Sequence, residues 1–268
     1  MYKTLLCILS FCIHVPLAAQ DIIPDTIWNQ TDEFGRKQGF WKKYYPDSTL
    51  MYKGFFKDNK PLGFFYRFFE GGNKKAVLNH LPDGISSYGK FYYQNGTLAA
   101  EGKYVYQKKD SIWNYYSYYT QTLSYLETYS NGMKNGVSKK YYDNGQEAEV
   151  LFWKDDLEHG LWQQFYEDST LRLTSDYQNG KINGSYKVFS REGILLISGK
   201  YIQDVLDGTW TYNDEEGNLE FELIYDNGVL LNEKVLEEKV KEFVEELEKN
   251  LGTIPEPDLM NIAPQQNK

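Results

Sequence analysis

Eight positions set the frame of this chain: Gly39, Gly63, Ser87, Ser111, Gly136, Gly160, Gly184 and Gly208 follow one another at intervals of 24, 24, 24, 25, 24, 24 and 24 residues. Such a period marks tandem supersecondary units, each too small to bury its apolar side alone and so obliged to stand against its neighbours. The unit from Gly160 reads Gly160-Leu161-Trp162-Gln163-Gln164-Phe165-Tyr166, a turn at Glu167-Asp168-Ser169, a second extended run from Thr170 to Tyr177, and a turn at Gln178-Asn179-Gly180. Runs rich in aromatic and branched residues between Asn, Asp, Ser and Gly clusters are strands joined by turns. The 24 tyrosines suit such pleated, half-buried surfaces. The array predicts an all-β protein of about eight hairpins over residues 39–232.

The first turn recurs as Asp47-Ser48, Gly71-Gly72, Asn95-Gly96, Asn144-Gly145, Asp168-Ser169, Glu192-Gly193 and Glu216-Gly217, and the second as Asp58-Asn59, Asn131-Gly132, Asn179-Gly180 and Asn227-Gly228. Read as a two-residue loop, the first turn fixes a register. It sets Trp162 opposite Ser175, Tyr166 opposite Leu171 and Gly160 opposite Tyr177. In the first unit it sets Trp41 against Gly54, Tyr45 against Leu50 and Gly39 against Phe56. In both units an aromatic ring gains a small residue to lie across, twice per hairpin, and the recurring glycine is expected to leave room for the ring.

Because side chains alternate with period 2, the opposite face carries Lys42, Lys90, Lys139, Gln163 and Lys187, with one further aromatic per unit. These are Tyr44, Phe68, Tyr92, Tyr116, Tyr141, Phe165 and Phe189, with Asn213 in the last unit. At two strands per unit, the row has a spacing of about 9 to 10 Å. It is the candidate partner-binding stripe, or else a row of rings that packs along the sheet.

The pattern loosens at Lys74, Lys75, His80 and Leu123, and the 25-residue interval calls for a bulge near Thr120-Gln121-Thr122. Residues 21–38, including Asp32-Glu33-Phe34-Gly35, are expected to cap the first edge of the sheet. After Asn232 the period becomes helical: Val235, Leu236, Val240, Phe243, Val244, Leu247 and Leu251 predict an amphipathic helix over 233–251, capped by Asn232 and Gly252. It is expected to lie on the last hairpins. Pro255, Pro257 and Pro264 mark residues 252–268 as a disordered tail.

Met1–Gln20 has one lysine, an apolar run from Leu5 to Val15 and a small-residue exit, the layout of a signal peptide cut near Ala19 or Gln20. The expected location is the periplasm, the cell envelope or outside the cell. Cys7 and Cys12 both fall in that segment, so the exported chain has no disulfide and no thiolate chemistry. Without Lys3 it carries 28 basic and 38 acidic residues, a balance that disfavours nucleic acid and bare anionic membrane. No later apolar stretch has membrane-spanning length.

The motif Gly-x-Trp-x-x-Tyr-Tyr with a later Gly-x-Tyr, seen in Gly39 to Tyr45, Gly160 to Tyr166 and Gly199-Lys200-Tyr201, resembles the MORN-type repeat in its bacterial variant form. The resemblance spans Gly39 to Asn232, with departures at Ser87, Gly89, Ser111 and Ser138. It implies an elongated, single-layer antiparallel sheet that serves as a scaffold, dimerisation surface or docking module, in some members at membranes. Bacterial members often carry the label of toxin–antitoxin antitoxins, whereas this chain reads as exported.

Residues for catalysis are not assembled in the sequence. His80 replaces an aromatic and reads as a packing residue, and Asp155-Asp156-Leu157-Glu158-His159 reads as a solvated junction that matches no metal-ligand spacing. Glu215-Glu216 sits in a turn, and Gly71-Gly72-Asn73-Lys74-Lys75 lacks the spacing and helix of a phosphate loop. The expectation is a non-enzymatic exported scaffold with a protein partner and neither cofactor nor metal. The alternatives are a cell-wall or glycan-binding module that uses the stripe, and an antitoxin-like protein.

Overall fold

A computed structural model describes residues 26–250. The expected signal peptide (1–20), the first residues of the expected cap (21–25) and the expected tail (252–268) lie outside them. Eight hairpins follow one another in a single open antiparallel sheet, in which each strand pairs with the strands before and after it in the chain. In the first unit Lys37–Tyr44 pairs with Leu50–Lys57, which pairs onward with Lys60–Phe68 of the second. The edge of the first strand is covered in part by Gln30–Thr31, with Gln30 opposite Gln38, and the Trp28 ring lies 5.9 Å from that of Phe40.

The pairing at the middle of the strands is the expected one: Trp162 faces Ser175, Gly160 faces Tyr177, Trp41 faces Gly54 and Gly39 faces Phe56. The pairing next to the first turn is not. Leu171 faces Phe165 and Leu50 faces Tyr44, one residue earlier than a two-residue loop requires. The reason lies in the turn. Ser48 N–H donates to the Tyr45 carbonyl at 3.0 Å, Tyr45 N–H donates to the Thr49 carbonyl at 2.8 Å, and only Ser48 has a positive φ, 68°. This is a three-residue loop closed by a left-handed residue, which brings a bulge with it. The same pair of bonds closes the loops at Tyr93 to Thr97, Tyr142 to Gln146 and Tyr166 to Thr170.

The true two-residue loops are the second turns. Asp58 and Asn59 have φ of 51° and 66°, Asn179 and Gly180 53° and 81°, and Asn227 and Gly228 46° and 82°, the paired positive values of a type I′ turn. A strand bulge follows Asp58-Asn59 and Asn179-Gly180, which lead into another unit, while the pairing after Asn227-Gly228 runs on without a slip. After Asp58-Asn59 the register slips so that Phe55 faces Leu62 but Lys53 faces Tyr66, with Gly63 in the bulge at φ 68°. A Cβ on Gly63 or Gly39 would touch nothing within 4 Å, so the periodic glycine supplies a left-handed backbone and not room for a ring. Between the second and third units a longer loop, closed by the Leu81–Ser86 bond, replaces the type I′ turn, and no slip follows it. That unit carries Ser87 where others carry glycine.

The 25-residue interval is absorbed at the expected place by another device. Ser117 N–H donates to Thr122 O and Gln121 N–H to Ser117 O, so the first turn of that unit is one residue longer and no extra bulge is needed in the strand.

The helix forms over Glu233–Asn250, but it does not lie along the last hairpins as expected. Val235 and Lys239 face the strand Leu219–Asp226, with the Lys239 ammonium 5.8 Å from the Phe221 ring, while Val240, Phe243, Val244 and Leu247 are all exposed. Asn232 does not cap the helix with its side chain either. Its amide bonds to the last strand, accepting from Ile224 N–H at 2.8 Å and donating to Glu222 O at 2.8 Å, while its backbone carbonyl accepts from Val235 N–H.

Candidate functional site: the two faces of the ribbon

One face carries a spine along the middle of the sheet. Phe65, Trp113 and Trp210 each lie over a glycine of the strand before, at Gly54, Gly102 and Gly199, so closely that a Cβ on any of the three would overlap the ring. The notch under a ring therefore belongs to the preceding hairpin. Trp113 and Trp210 are 2% and 3% exposed, and Ser175, beside Trp162 and Tyr186, is 2%. Edge-to-face contacts continue the row, Tyr104 to Trp113 at 4.8 Å and Tyr201 to Trp210 at 5.0 Å. Among the described residues no second layer covers the sheet, and this row is the core.

At the middle of the spine the apolar filling gives way to charge. Glu127, 6% exposed, accepts from the Lys134 ammonium at 2.7 Å and from the Tyr129 hydroxyl at 2.6 Å. Lys109 donates to the Tyr115 hydroxyl at 2.6 Å, and its ammonium lies 4.8 to 5.1 Å from the rings of Tyr129, Trp113 and Tyr115. Burial pushes the Glu127 carboxyl up, but the bonds from Lys134, Tyr129 and Tyr115 outweigh it and hold the group below the ordinary carboxylate range. Burial holds Lys109 below its ordinary value and pushes Tyr115 and Tyr129 up. These groups are bonded to one another, and the cluster stands in the packed spine rather than in a cleft. Ser138 fills the neighbouring tryptophan position and accepts from Trp153 Nε1 at 2.7 Å.

The opposite, outer face carries the predicted stripe at the hairpin end of each unit. Tyr44 is 46% exposed, with the Lys42 ammonium 5.6 Å from its ring, and the other six residues are half-buried. Tyr92 has Lys74 over its ring at 5.3 Å. Tyr116 donates to Glu101 at 2.7 Å; burial and then that bond push its hydroxyl up to about 12, and the same bond with Lys90 holds Glu101 below its ordinary range. Tyr141 lies beside the Lys139–Glu147 ion pair. Among the described residues, none of Tyr44, Phe68, Tyr92, Tyr116, Tyr141, Phe165 and Phe189 enters a ring–ring pair.

Four of the seven stripe residues have a backbone role. Tyr45 donates its hydroxyl to the carbonyl of Phe68, Tyr93 to that of Tyr116, Tyr142 to that of Phe165 and Tyr166 to that of Phe189, at 2.7 to 2.9 Å. Each bond ties a hairpin to the next across 23 residues. Phe69, Ser117 and Ser190, at the same position in other units, have no phenol to give.

A second row on the outer face is more exposed than the stripe. It comprises Phe40, Phe64, Tyr88, Ile112 and Leu161, 39% to 53% exposed, each one residue after the periodic position. Column-wise comparison of the repeats would have found it. A shallow depression of about 500 Å³ lies beside it, lined by Tyr88, Lys90, Glu101, Lys103, Ile112 and Asn114 among others.

Among the described residues, no three His, Cys, Asp or Glu side chains gather as a metal site, and no helix is long and apolar enough to cross a membrane. The Asp155-Asp156 turn is engaged locally: Asp156 accepts from Lys134 N–H at 2.6 Å and Asp155 from Asn135 Nδ2 at 3.0 Å. His80 is half-buried in ring contact with Phe65, and burial lowers its pKa.

Five segments, residues 37–58, 88–106, 134–155, 158–181 and 206–233, match the MORN repeat variant. No curated protein matches the chain. All five segments start within two residues of a periodic position, and each spans a three-residue loop with paired strand on both sides of it. The intervening units, from Gly63, Ser111 and Gly184, fold as hairpins in the same sheet. Matched segments and repeated geometry agree on one unit, and the chain is a MORN-type repeat protein.

Proposed function

We propose that this chain is an exported, non-enzymatic scaffold whose outer face receives a protein partner. The carrying observation is the row Phe40, Phe64, Tyr88, Ile112 and Leu161, apolar side chains in register along a sheet that no second layer covers among the described residues. Aligned apolar residues bordered by polar ones are the surface pattern of a protein contact. MORN repeats generally act in protein or membrane interaction, which fits this reading. Export rests on the layout of Met1–Gln20.

The test is recovery of partners from an envelope fraction by the wild-type chain, by a Phe40→Ser/Phe64→Ser/Tyr88→Ser variant, and by a Tyr44→Ser/Tyr141→Ser/Phe165→Ser variant. Loss with the first variant supports the exposed row, and loss with the second alone moves the contact to the stripe. Recovery unchanged by both removes the outer face from the function.

A second reading, a glycan-binding module, is favoured by one observation: the stripe rings, free of ring–ring pairing, keep faces on which a sugar could stack. Titration with cell-wall oligosaccharides, read by tyrosine fluorescence or NMR, checks it. No change at millimolar ligand rejects that reading.

A further inference from the structure

We infer that the C-terminal helix of one copy docks on the outer face of the first units of another copy. The first observation is charge. Residues 39–110 hold twelve Lys and Arg against six Asp and Glu, whereas residues 111–232 hold nine against nineteen and residues 233–250 four against seven. The net acidity of the whole conceals a basic first third.

The second observation is an unneutralised pair. Lys42 and Lys53 stand directly opposite each other in the first hairpin, and among the described residues neither has a carboxylate within ion-pair distance. Like charges directly opposed destabilise a sheet. Aromatic rings surround them: Lys42 lies over Trp28 and Tyr44, Lys53 lies over Tyr66, and Phe40 and Phe55 pack edge to face at 5.3 Å. Phe40, Phe64 and Tyr88 remain 43% to 53% exposed.

The third observation is a surface of opposite character. The helix Glu233–Asn250 exposes Leu236, Val240, Phe243, Val244 and Leu247 on one stripe, with Glu237 and Glu248 along one border and Lys239 and Glu246 along the other. An apolar seam with a net acidic rim, whose Lys239 is already paired with Glu220 and Glu242, thus answers an aromatic row with basic borders. Their lengths agree. Leu236 to Leu247 spans about 17 Å of helix, and the four strand steps from the Phe40 strand to the Tyr88 strand span about 19 Å.

The helix cannot reach this row in its own chain. Its packing contacts are with the strand Leu219–Asp226, some fifteen strand steps or roughly 70 Å from Lys42 along a flat sheet, whereas the helix is about 27 Å long. The occupant is therefore a second copy. Reciprocal docking gives a closed dimer, and one-way docking gives a chain of copies. The inference rests on the scaffold reading at the Phe40, Phe64 and Tyr88 end of the exposed row, which it gives to a second copy; the sedimentation test addresses self-association alone, and recovery of other partners addresses the rest of the row.

Sedimentation of the purified chain over a concentration series at low and high salt tests this. Expected is concentration-dependent association, weakened at least tenfold at high salt, and weakened at least tenfold both by Lys42→Glu/Lys53→Glu and by Phe243→Ser/Leu247→Ser. The four residues lie on the surface, and circular dichroism of each variant verifies the fold. Mixing the two variants should restore a one-to-one complex, because one intact face and one intact helix remain. The inference is overturned by a monomer at all concentrations up to about 1 mM, by association that both variants retain, or by a mixture that stays monomeric. A monomer that instead binds vesicles of equal phosphatidylglycerol and phosphatidylcholine would also overturn it, assigning the basic face to lipid.

Discussion

Two stretches of the spine differ in what fills them and not in how the backbone runs. At Gly102–Trp113 and Gly199–Trp210 a ring settles into a glycine notch. At Glu127–Ser138 a carboxylate, two lysines and two tyrosines occupy the same row, and a serine replaces the ring. Both stretches have a type I′ turn, a left-handed residue at the periodic position and a slip of register after the turn. The repeat length is thus set by the turns and the bulge, and the spine accepts whatever fits the row. Local backbone chemistry fixes the period, while packing fixes the stability.

The comparison can be broken most forcefully at the apolar stretch. Trp113→Ala should cost about 4 kcal/mol of stability in urea unfolding, because no second layer can collapse into the gap. At the charged stretch, Glu127→Ala should cost about 3 kcal/mol by leaving Lys134 without its partner, and Glu127→Leu with Lys134→Met should recover most of that. The pH dependence separates the two stretches further. The folded carboxyl of Glu127 is held below its unfolded value, so its contribution is complete above about pH 4.5 and lost as pH falls through the folded value. Urea midpoints of the wild type should fall across that acid range more than those of the Leu/Met double variant.

A smaller effect sharpens the role of the notch. Gly102→Ala should cost about 2 kcal/mol through overlap with the Trp113 ring, and Gly102→Ala in a Trp113→Ala background should cost much less, a coupling measurable as a double-mutant cycle. Smallest is Tyr142→Phe, which removes one hydroxyl bond between hairpins and should cost about 1 kcal/mol. Faster amide exchange confined to the neighbouring hairpins would locate that loss.

Much of this was legible in the residues themselves. The 24-residue interval gave the units and alternation gave the two faces, while the Trp162–Ser175 and Trp41–Gly54 pairings came out of the two-residue reading of the first turn because the bulge beside the three-residue loop absorbs its extra residue. The turns misled because Asn, Asp, Ser and Gly gather at both, though one needs a single left-handed residue and the other two. Pro46 was a usable signal, since its fixed φ suits the opening of a type I turn and it has no N–H to pair with Thr49, as a two-residue loop at Asp47-Ser48 would require. The exposed row from Phe40 to Leu161 was hidden by attention to rings near the hairpin end, where the tyrosine-to-carbonyl bonds leave the stripe half-buried. Helical periodicity placed the C-terminal helix within a residue, but periodicity says that a face is apolar and not what covers it.

Strands that bond only to their immediate neighbours in the chain have a mechanical corollary. Inserting or deleting one whole unit changes no pairing elsewhere, and it moves the two ends of the sheet relative to each other by about 10 Å. The molecule is in this sense a ruler graduated in hairpins. Its copy number sets how far the basic end stands from the acidic one.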